Sequence, residues 1–397
     1  MSLLLYFFSQ EIVDKIMLCL DIQDLRKIGK RNVSEYVWLC KKDKNLKEAC
    51  KNQNITAVRY LINHNANIHR YGGLLLSFSA RYGRIDIMRY LISHGANIHT
   101  KKNNPLYYAT KHGQLEVIKY LVEQGADIDI RKNIMLSCSA KNGHLNVVQY
   151  LVEQGADVTN PNNTAFIWSV MNGHLDVVKY LANLCDFANA TNVNHKHRLL
   201  YSSVRNGHLS VVRYLIEQCN ASYIGQSYYY NPVIASAKYG HLDIVKYFIE
   251  QRDNMDITNN DLLKSAAIAG HFDIVLYLID HGANIYDDYD DTLDQVIRCK
   301  HLNIVQYFVE KNKDRHGNYN IGLYSSVMHG NLDVAQIMIK YGAFPYCITE
   351  RILQKGRKDG HIDVVNYIKY CQNIFMIKGC LYIFIGYMVI LVIYINY

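Results

Sequence analysis

Apolar and polar positions follow a pattern that recurs about every 30 residues along the chain. In the clearest copies an apolar residue lies seven positions before a glycine, as Leu136 does before Gly143, and small residues stand three and four positions before it. A second apolar run, Val-Val-x-Tyr-Leu-Val, follows the glycine and closes with Gly-Ala-Asp. Apolar steps of three and four residues predict helices. Each copy therefore predicts two helices joined by a tight turn at the glycine, a residue suited to a left-handed helix end.

The glycine, or the residue that replaces it, gives each copy an anchor from which positions can be counted. Anchors lie 30 residues apart, except for steps of 34 and 33 residues on either side of Gly207. The eleven anchors are Gln53, Gly83, Gly113, Gly143, Gly173, Gly207, Gly240, Gly270, Lys300, Gly330 and Gly360. One helix pair cannot bury both of its apolar faces, so repeated pairs stack on their neighbours. The pattern predicts an all-α solenoid of about eleven helix-turn-helix units. The extra residues around Gly207 are expected in longer loops, at 185–198 and 219–231.

Both ends of the chain depart from the repeat and define the predicted organisation. Residues 1–48 form an N-terminal segment, 49–373 the repeat array and 374–397 a hydrophobic tail. In the first segment Ile12, Ile16 and Leu20 share one helical face, as expected of a helical cap. The stretch from Gly379 to Ile395 has no charged residue and would span roughly 25 Å as a helix, against a bilayer core of ~30 Å. The tail is thus predicted to be a membrane anchor, with a buried capping helix or a poorly ordered end as alternatives.

The repeat phrase itself resembles a known family. Gly-His-Leu-Asp-Val-Val-Lys-Tyr-Leu from Gly173 to Leu181, with the trailing Gly-Ala-Asp of other copies, resembles the ankyrin repeat. The usual Thr-Pro-Leu-His start survives only as Asn104-Pro-Leu106 and Asn231-Pro-Val233. The tyrosine-rich form is similar to the ankyrin arrays of giant DNA viruses. The resemblance implies protein–protein recognition on a concave face made by loop tips and first helices, without catalytic activity.

A second resemblance concerns the N-terminal segment. Residues from Phe8 to Ile28 resemble an F-box, although the usual opening Leu-Pro is Phe8-Ser9 here. An F-box implies docking to a Skp1-type adaptor of a cullin ubiquitin ligase, through Ile12, Ile16 and Leu20. The array would then select the protein to be ubiquitinated. A plain helical cap is the alternative for this segment, and a non-catalytic scaffold held on a membrane by its tail is the alternative for the whole chain.

Basic residues recur at one place in the repeat, two positions before the anchor. The chain carries 43 Lys and Arg against 35 Asp and Glu, and eight anchors have a base at this position: Lys51, Arg81, Lys111, Lys141, Arg205, Lys238, Arg298 and Lys358. The resemblance puts this position on the concave side. A row of like charge favours an acidic protein partner, while the alternative is a set of solvated side chains that complement helix dipoles. Position +6 is often basic too, as at Lys179 and Lys246, so charge lies on more than one face and no nucleic-acid partner is predicted.

Aromatic residues in one of the longer loops complete the predicted binding site. Tyr228, Tyr229 and Tyr230 precede Asn231, and aromatic loop tips are frequent interface anchors. The predicted partner-binding residues are therefore Arg81, Lys111, Lys141, Arg205, Lys238, Arg298, Tyr228, Tyr229 and Tyr230.

Two recurring residue types have structural explanations. Histidine follows the anchor in seven copies, from His144 to His361, but units roughly 8–10 Å apart cannot place two of these rings on one metal ion. A turn histidine that bonds the backbone is predicted. Tyrosine at +7, in ten of the eleven copies, is predicted to pack between units with its hydroxyl at the edge. No phosphate loop, zinc-protease or nucleophile-elbow motif is present, so neither an enzyme nor a cofactor is predicted. Ten cysteines without metal-ligand spacing predict free thiols in an intracellular, cytoplasmic protein.

Overall fold

The computed structural model describes residues 42–71, 73–99, 104–158, 164–185, 187, 193–222, 231–251, 260–285, 289–312 and 319–377. Within these residues the chain forms α-helices with short 3-10 turns and connecting loops. Each anchor lies between two helices, which together make one repeat. The eleven first helices of the described repeats are α1 (Lys42–Lys51), α3 (Leu74–Arg81), α5 (Pro105–Lys111), α7 (Lys132–Lys141), α9 (Thr164–Met171), α11 (Val193–Arg205), α13 (Pro232–Lys238), α15 (Asn260–Ala269), α17 (Tyr289–Arg298), α19 (Tyr319–His329) and α21 (Glu350–Lys358).

The second helices start two residues after each anchor. They are α2 (Ile55–Asn63), α4 (Ile85–Ser93), α6 (Leu115–Glu123), α8 (Leu145–Glu153), α10 (Leu175–Leu184), α12 (Leu209–Glu217), α14 (Leu242–Glu250), α16 (Phe272–Asp280), α18 (Leu302–Lys311), α20 (Leu332–Lys340) and α22 (362–377). The all-α repeat solenoid expected from the periodicity is confirmed.

The core consists of the apolar positions that define the repeat. In the repeat of Gly143, Leu136 of α7 is 1% exposed, and Val147, Val148 and Leu151 of α8 are 0% exposed. First helices of consecutive repeats pack on one another, as α3 does on α5 and α7 on α9. Small residues such as Ser139 permit this close approach, and its hydroxyl donates to the Leu136 carbonyl oxygen at 3.0 Å, which satisfies a buried polar group.

The chain divides into two compact units, each with its own series of repeats. The first comprises residues 1–203 and 213–221, and the second comprises 204–212 and 222–397. The first contains α1 to α10, and the second contains α13 to α22. The helices α11 and α12 contribute residues to both units.

Residues 193–198 are helical, contrary to the loop expected from 185 to 198. They form the start of α11, which has 13 residues. Lys196 and His197 are only 6% and 4% exposed, and the Lys196 ammonium lies 5.7 Å from the centre of the Phe187 ring. Because these positions are polar, the sequence predicted a loop here, but neighbouring parts of the chain bury an additional helical turn.

The described helices also cross the two expected boundaries. The boundary between residues 48 and 49 falls inside α1, which packs on α2 as the first helix of the first repeat. At the other end α22 continues through residues 374–377. Among the described residues no helix combines the length and apolar content needed to cross a bilayer.

Candidate functional site: the exposed face of the first helices

The turn at each anchor fixes the last turn of the first helix. At Gly143 the backbone φ is +75°, and the next amide, of His144, donates to the Ser139 carbonyl oxygen at 3.0 Å. Such a bond from the residue after the left-handed position closes the helix. Gln53 and Lys300 adopt the same conformation, with φ of 61° and 64°, although side chains disfavour it. The turn is thus kept in the two copies that lack glycine.

The histidines after the anchors connect consecutive repeats through the backbone. The His144 Nε2–H donates to the carbonyl oxygen of Lys111 at 3.0 Å, which is the basic position of the preceding repeat. Equivalent bonds join His174 to Lys141 at 2.9 Å, His241 to Arg205 at 3.0 Å, His271 to Lys238 at 3.2 Å, His301 to Ile268 at 3.0 Å and, through Nδ1, His361 to Val327 at 2.9 Å. These bonds confirm the predicted structural role. They also hold the end of each first helix in register with the next repeat.

The basic residues two positions before the anchors all lie in the last turns of first helices, and all eight are exposed. Two of them face a carboxylate: Lys51 Nζ is 3.7 Å from Glu48 Oε2, and Arg298 is 3.7 Å from Asp294 Oδ2. In the part of the chain that the structure describes, no ion pair forms with Arg81, Lys111, Lys141, Arg205 or Lys238. Arg298 is therefore the predicted site residue whose charge is already balanced.

Aromatic rings, rather than carboxylates, contact several of these cations. In the second unit Arg205 and Lys238 lie 5.3 and 6.0 Å from the centre of the Tyr239 ring. In the first unit Lys141 lies 4.3 Å from the Trp168 ring. Cation–π contact orients a charged group without neutralising it. Arg205, Lys238 and Lys141 are thus exposed and contact aromatic rings, with no carboxylate partner within the described residues.

A histidine on this face has its pKa shifted by burial and, after it, by nearby positive charge. His112 lies one position after Lys111, and its pKa is lowered by burial and then by the charges of Arg81, Lys111 and His144. These charged neighbours come from three consecutive repeats, so side chains of different repeats act on the same histidine. The electrostatic environment along this part of the face is positive.

A second row of contacts lies on the second helices and was not predicted from the sequence. The base at +6 of one repeat stacks on the tyrosine at +7 of the next: Arg59 on Tyr90 at 5.5 Å, Arg89 on Tyr120 at 5.4 Å and Lys246 on Tyr277 at 5.4 Å. Most of these tyrosines are half-buried, and the Tyr90 hydroxyl donates to Asn63 Oδ1 at 3.0 Å. Packing between repeats is confirmed for them. Their regular recurrence with a base at the preceding position was the available signal.

Six predicted residues belong to parts of the chain that the structure does not describe. Tyr228, Tyr229 and Tyr230 of the loop, and Ile12, Ile16 and Leu20 of the N-terminal segment, lie outside the described residues. Over the described ranges no group of three or more His, Cys, Asp or Glu side chains could hold a metal ion. The seven described cysteines have free thiols.

Comparison with known families agrees with this architecture. A family model for ankyrin repeats matches in overlapping stretches, at residues 29–102, 46–132, 99–162, 134–227 and 200–289. These matches cover about two thirds of the chain. No curated protein matches the sequence. The chain belongs to the ankyrin-repeat family, whose repeats are protein–protein interaction modules and are generally non-catalytic. The described helix pairs continue past the last matched residue, to 377.

Proposed function

We propose that this protein recruits an acidic protein partner through the exposed ends of its first helices, with Arg205 and Lys238 at the centre of the contact. The observation that carries the proposal is the set of exposed cations whose charge is not balanced by a carboxylate within the described residues. In the second unit Arg205 and Lys238 belong to adjacent repeats, and His241 bonds the Arg205 carbonyl oxygen. Both cations share the face of Tyr239. An acidic surface would gain two ion pairs here without first breaking any.

The test is charge reversal with a matched control. Arg205→Glu with Lys238→Glu removes both cations and both of their contacts with the Tyr239 ring. The control, Lys179→Glu with Lys246→Glu on second helices, changes the net charge equally and also removes one stack, that of Lys246 on Tyr277. Proteins captured by the wild type should be identified by mass spectrometry and their association rates measured with purified material.

Distinct outcomes are expected from the two double variants. Reversal at Arg205 and Lys238 should slow association and weaken its dependence on salt, because rim charges steer encounter. The control should affect association less. Equal binding by both variants would mean that charge on this face only keeps the array soluble.

A role as a ubiquitin-ligase adaptor is the finer form of this proposal. It rests on the F-box-like spacing of Ile12, Ile16 and Leu20. Changing all three to Asp should abolish binding of a Skp1-type adaptor without melting the repeats, since repeat stability depends mainly on adjacent repeats. Unchanged adaptor binding by this variant would leave the N-terminal segment as a plain helical cap.

Membrane attachment is a second candidate function, favoured by the apolar surface at the end of α22. Phe375, Met376 and Ile377 are 42%, 58% and 65% exposed, and Phe344 is 52% exposed with its ring centre 6.2 Å from that of Phe375. Only Lys378 separates Ile377 from the uncharged stretch that starts at Gly379. Deleting residues 374–397 should release the protein from membranes with its repeats folded. If carbonate washing extracts the full-length chain from membranes, residues 374–397 are not an integral membrane anchor.

The proposed location of the protein in the cell is consistent with these two functions. A host-cell cytoplasmic protein of a giant DNA virus, held at a membrane or free of it, fits the tyrosine-rich repeat and the free thiols. Fractionation of expressing cells, with and without residues 374–397, tests this assignment.

A further inference from the structure

The first unit carries a basic row with a regular spacing. Arg81, Lys111 and Lys141, here called the basic ladder, occupy the same position in three consecutive repeats and are exposed. Gln114, His144 and His174 each donate to the carbonyl oxygen of one ladder residue, at 3.4, 3.0 and 2.9 Å. The first helices α3, α5, α7 and α9 pack consecutively. Packed helices lie roughly 8–10 Å apart, so neighbouring rungs are separated by about that distance.

An aromatic row accompanies the basic ladder. Phe78 and Tyr108 lie three residues before Arg81 and Lys111, on the same side of their helices, and both are half-buried. Trp168 occupies the equivalent position in the repeat of Gly173, and its ring contacts the ammonium of Lys141 in the preceding repeat. Between them stands Cys138, whose thiol pKa is raised by burial, so this position carries no charge at neutral pH. The exposed cations therefore lie beside three half-buried aromatic side chains, with Cys138 between the second and the third.

The rung spacing discriminates between conformations of a bound segment. A polyproline II helix repeats every three residues and rises 3.1 Å per residue, so every third side chain recurs on one side at about 9.3 Å. Side chains on one face of a β-strand recur at about 6.6 Å, which does not match. An α-helix matches only at every seventh residue, about 10.5 Å. Aromatic surface is characteristic of sites that bind polyproline II segments, and the ladder has such a surface beside it.

We propose that the basic ladder and its aromatic row bind an acidic protein segment in the polyproline II conformation, with a carboxylate at every third position. This inference rests on the proposed function, because it specifies the kind of acidic protein that the array recognises. It concerns the first unit, whereas Arg205 and Lys238 belong to the second. The two proposals can therefore fail separately.

The experiment uses the full-length chain and labelled peptides of defined charge spacing. The probe is (Glu-Pro-Pro)3, and its control, Glu-Glu-Glu followed by six prolines, has the same composition with its charges clustered. Binding is followed by fluorescence anisotropy at low and high salt. Each exposed ion pair strengthens binding about 1.4- to 5-fold, and the spaced peptide can form two more pairs than the clustered one. It should bind about 2- to 30-fold more tightly.

Variants separate the contributions of the two rows. Lys111→Glu should remove the preference for the spaced peptide, and Trp168→Ala should weaken its binding by about fivefold or more. Lys179→Glu is the matched control, because Lys179 is exposed on a second helix, and it should leave the preference intact.

Several results would overturn the inference. They are absence of binding, equal affinity for the two peptides, or tighter binding of an alanine-based helical peptide with Glu at every seventh residue. If both peptides bind equally and both are lost in Lys111→Glu, acidic recognition stands and only the conformation is wrong. If Lys111→Glu changes neither, the first-helix face of this unit does not bind acidic segments.

Discussion

The anchor turn offers a test of how the repeats are joined. Gly113 and Gly125 lie in the same repeat, on either side of α6, and both have left-handed backbone, with φ of +72° and +88°. A Cβ at Gly113 would lie 2.6 Å from His144 Nδ1, whereas one at Gly125 would meet nothing within 4 Å. Substituting alanine at each position therefore separates backbone strain from displacement of the histidine.

The expected costs follow from these two environments. Alanine in a left-handed conformation costs about 1–2 kcal/mol, and Gly125→Ala should show this cost alone. In Gly113→Ala the His144 ring must also move and lose its bond to Lys111, which adds about 0.5–1.5 kcal/mol. Gly113→Ala should therefore cost about 1.5–3.5 kcal/mol in total.

Hydrogen exchange measured by mass spectrometry suits this comparison, because repeats open locally and a single melting curve would average over them. Peptides covering α5 and α6 should exchange about 2- to 10-fold faster in Gly113→Ala than in Gly125→Ala. In a His144→Ala background the two substitutions should become equivalent, since the obstructing ring is gone. Equal exchange in the original background, or a difference that persists without His144, would refute the assigned role of the ring.

Three further predictions concern stability. Arg59→Ala should destabilise the first repeats by about 0.5–1 kcal/mol through loss of its stack on Tyr90; urea unfolding that matches the wild type would contradict this. Asn104→Ala should cost about 1 kcal/mol, because the Asn104 side chain accepts the Leu106 amide at 2.8 Å, and exchange of α5 amides measures it. The pKa of His112 is lower in the folded protein than its ordinary 6.5, so the unfolded chain binds the proton more readily and stability should fall as pH drops through that value. His112→Asn should reduce this loss of stability, which thermal melts recorded at pH values above and below 6.5 would measure.

The periodicity determined the main features of the fold. It specified the helix pairs, the anchors and the buried positions, because burying one face of each helix requires apolar residues at fixed steps, and Leu136, Val147 and Leu151 satisfy that requirement locally. The structural role of the turn histidines was also predicted, because repeats separated by about one helix diameter cannot bring two of these rings onto one metal ion. The helical turn at Lys196 and His197 was not predicted, because these residues are polar and their burial depends on neighbours such as Phe187.

Tertiary structure decided which groups the basic residues contact in neighbouring repeats. Arg298 faces Asp294, four residues before it in the same helix, a pair that the sequence spacing itself indicates. Arg205 faces the ring of Tyr239 in the next repeat, a contact that its own repeat does not indicate. The carbonyl acceptor of His144 lies 33 residues back along the chain. A repeat pattern gives the position of a side chain within its own repeat. The partner of that side chain in the next repeat is set by its rotamer and by the packing of the two repeats, and the pattern within one repeat does not specify that partner.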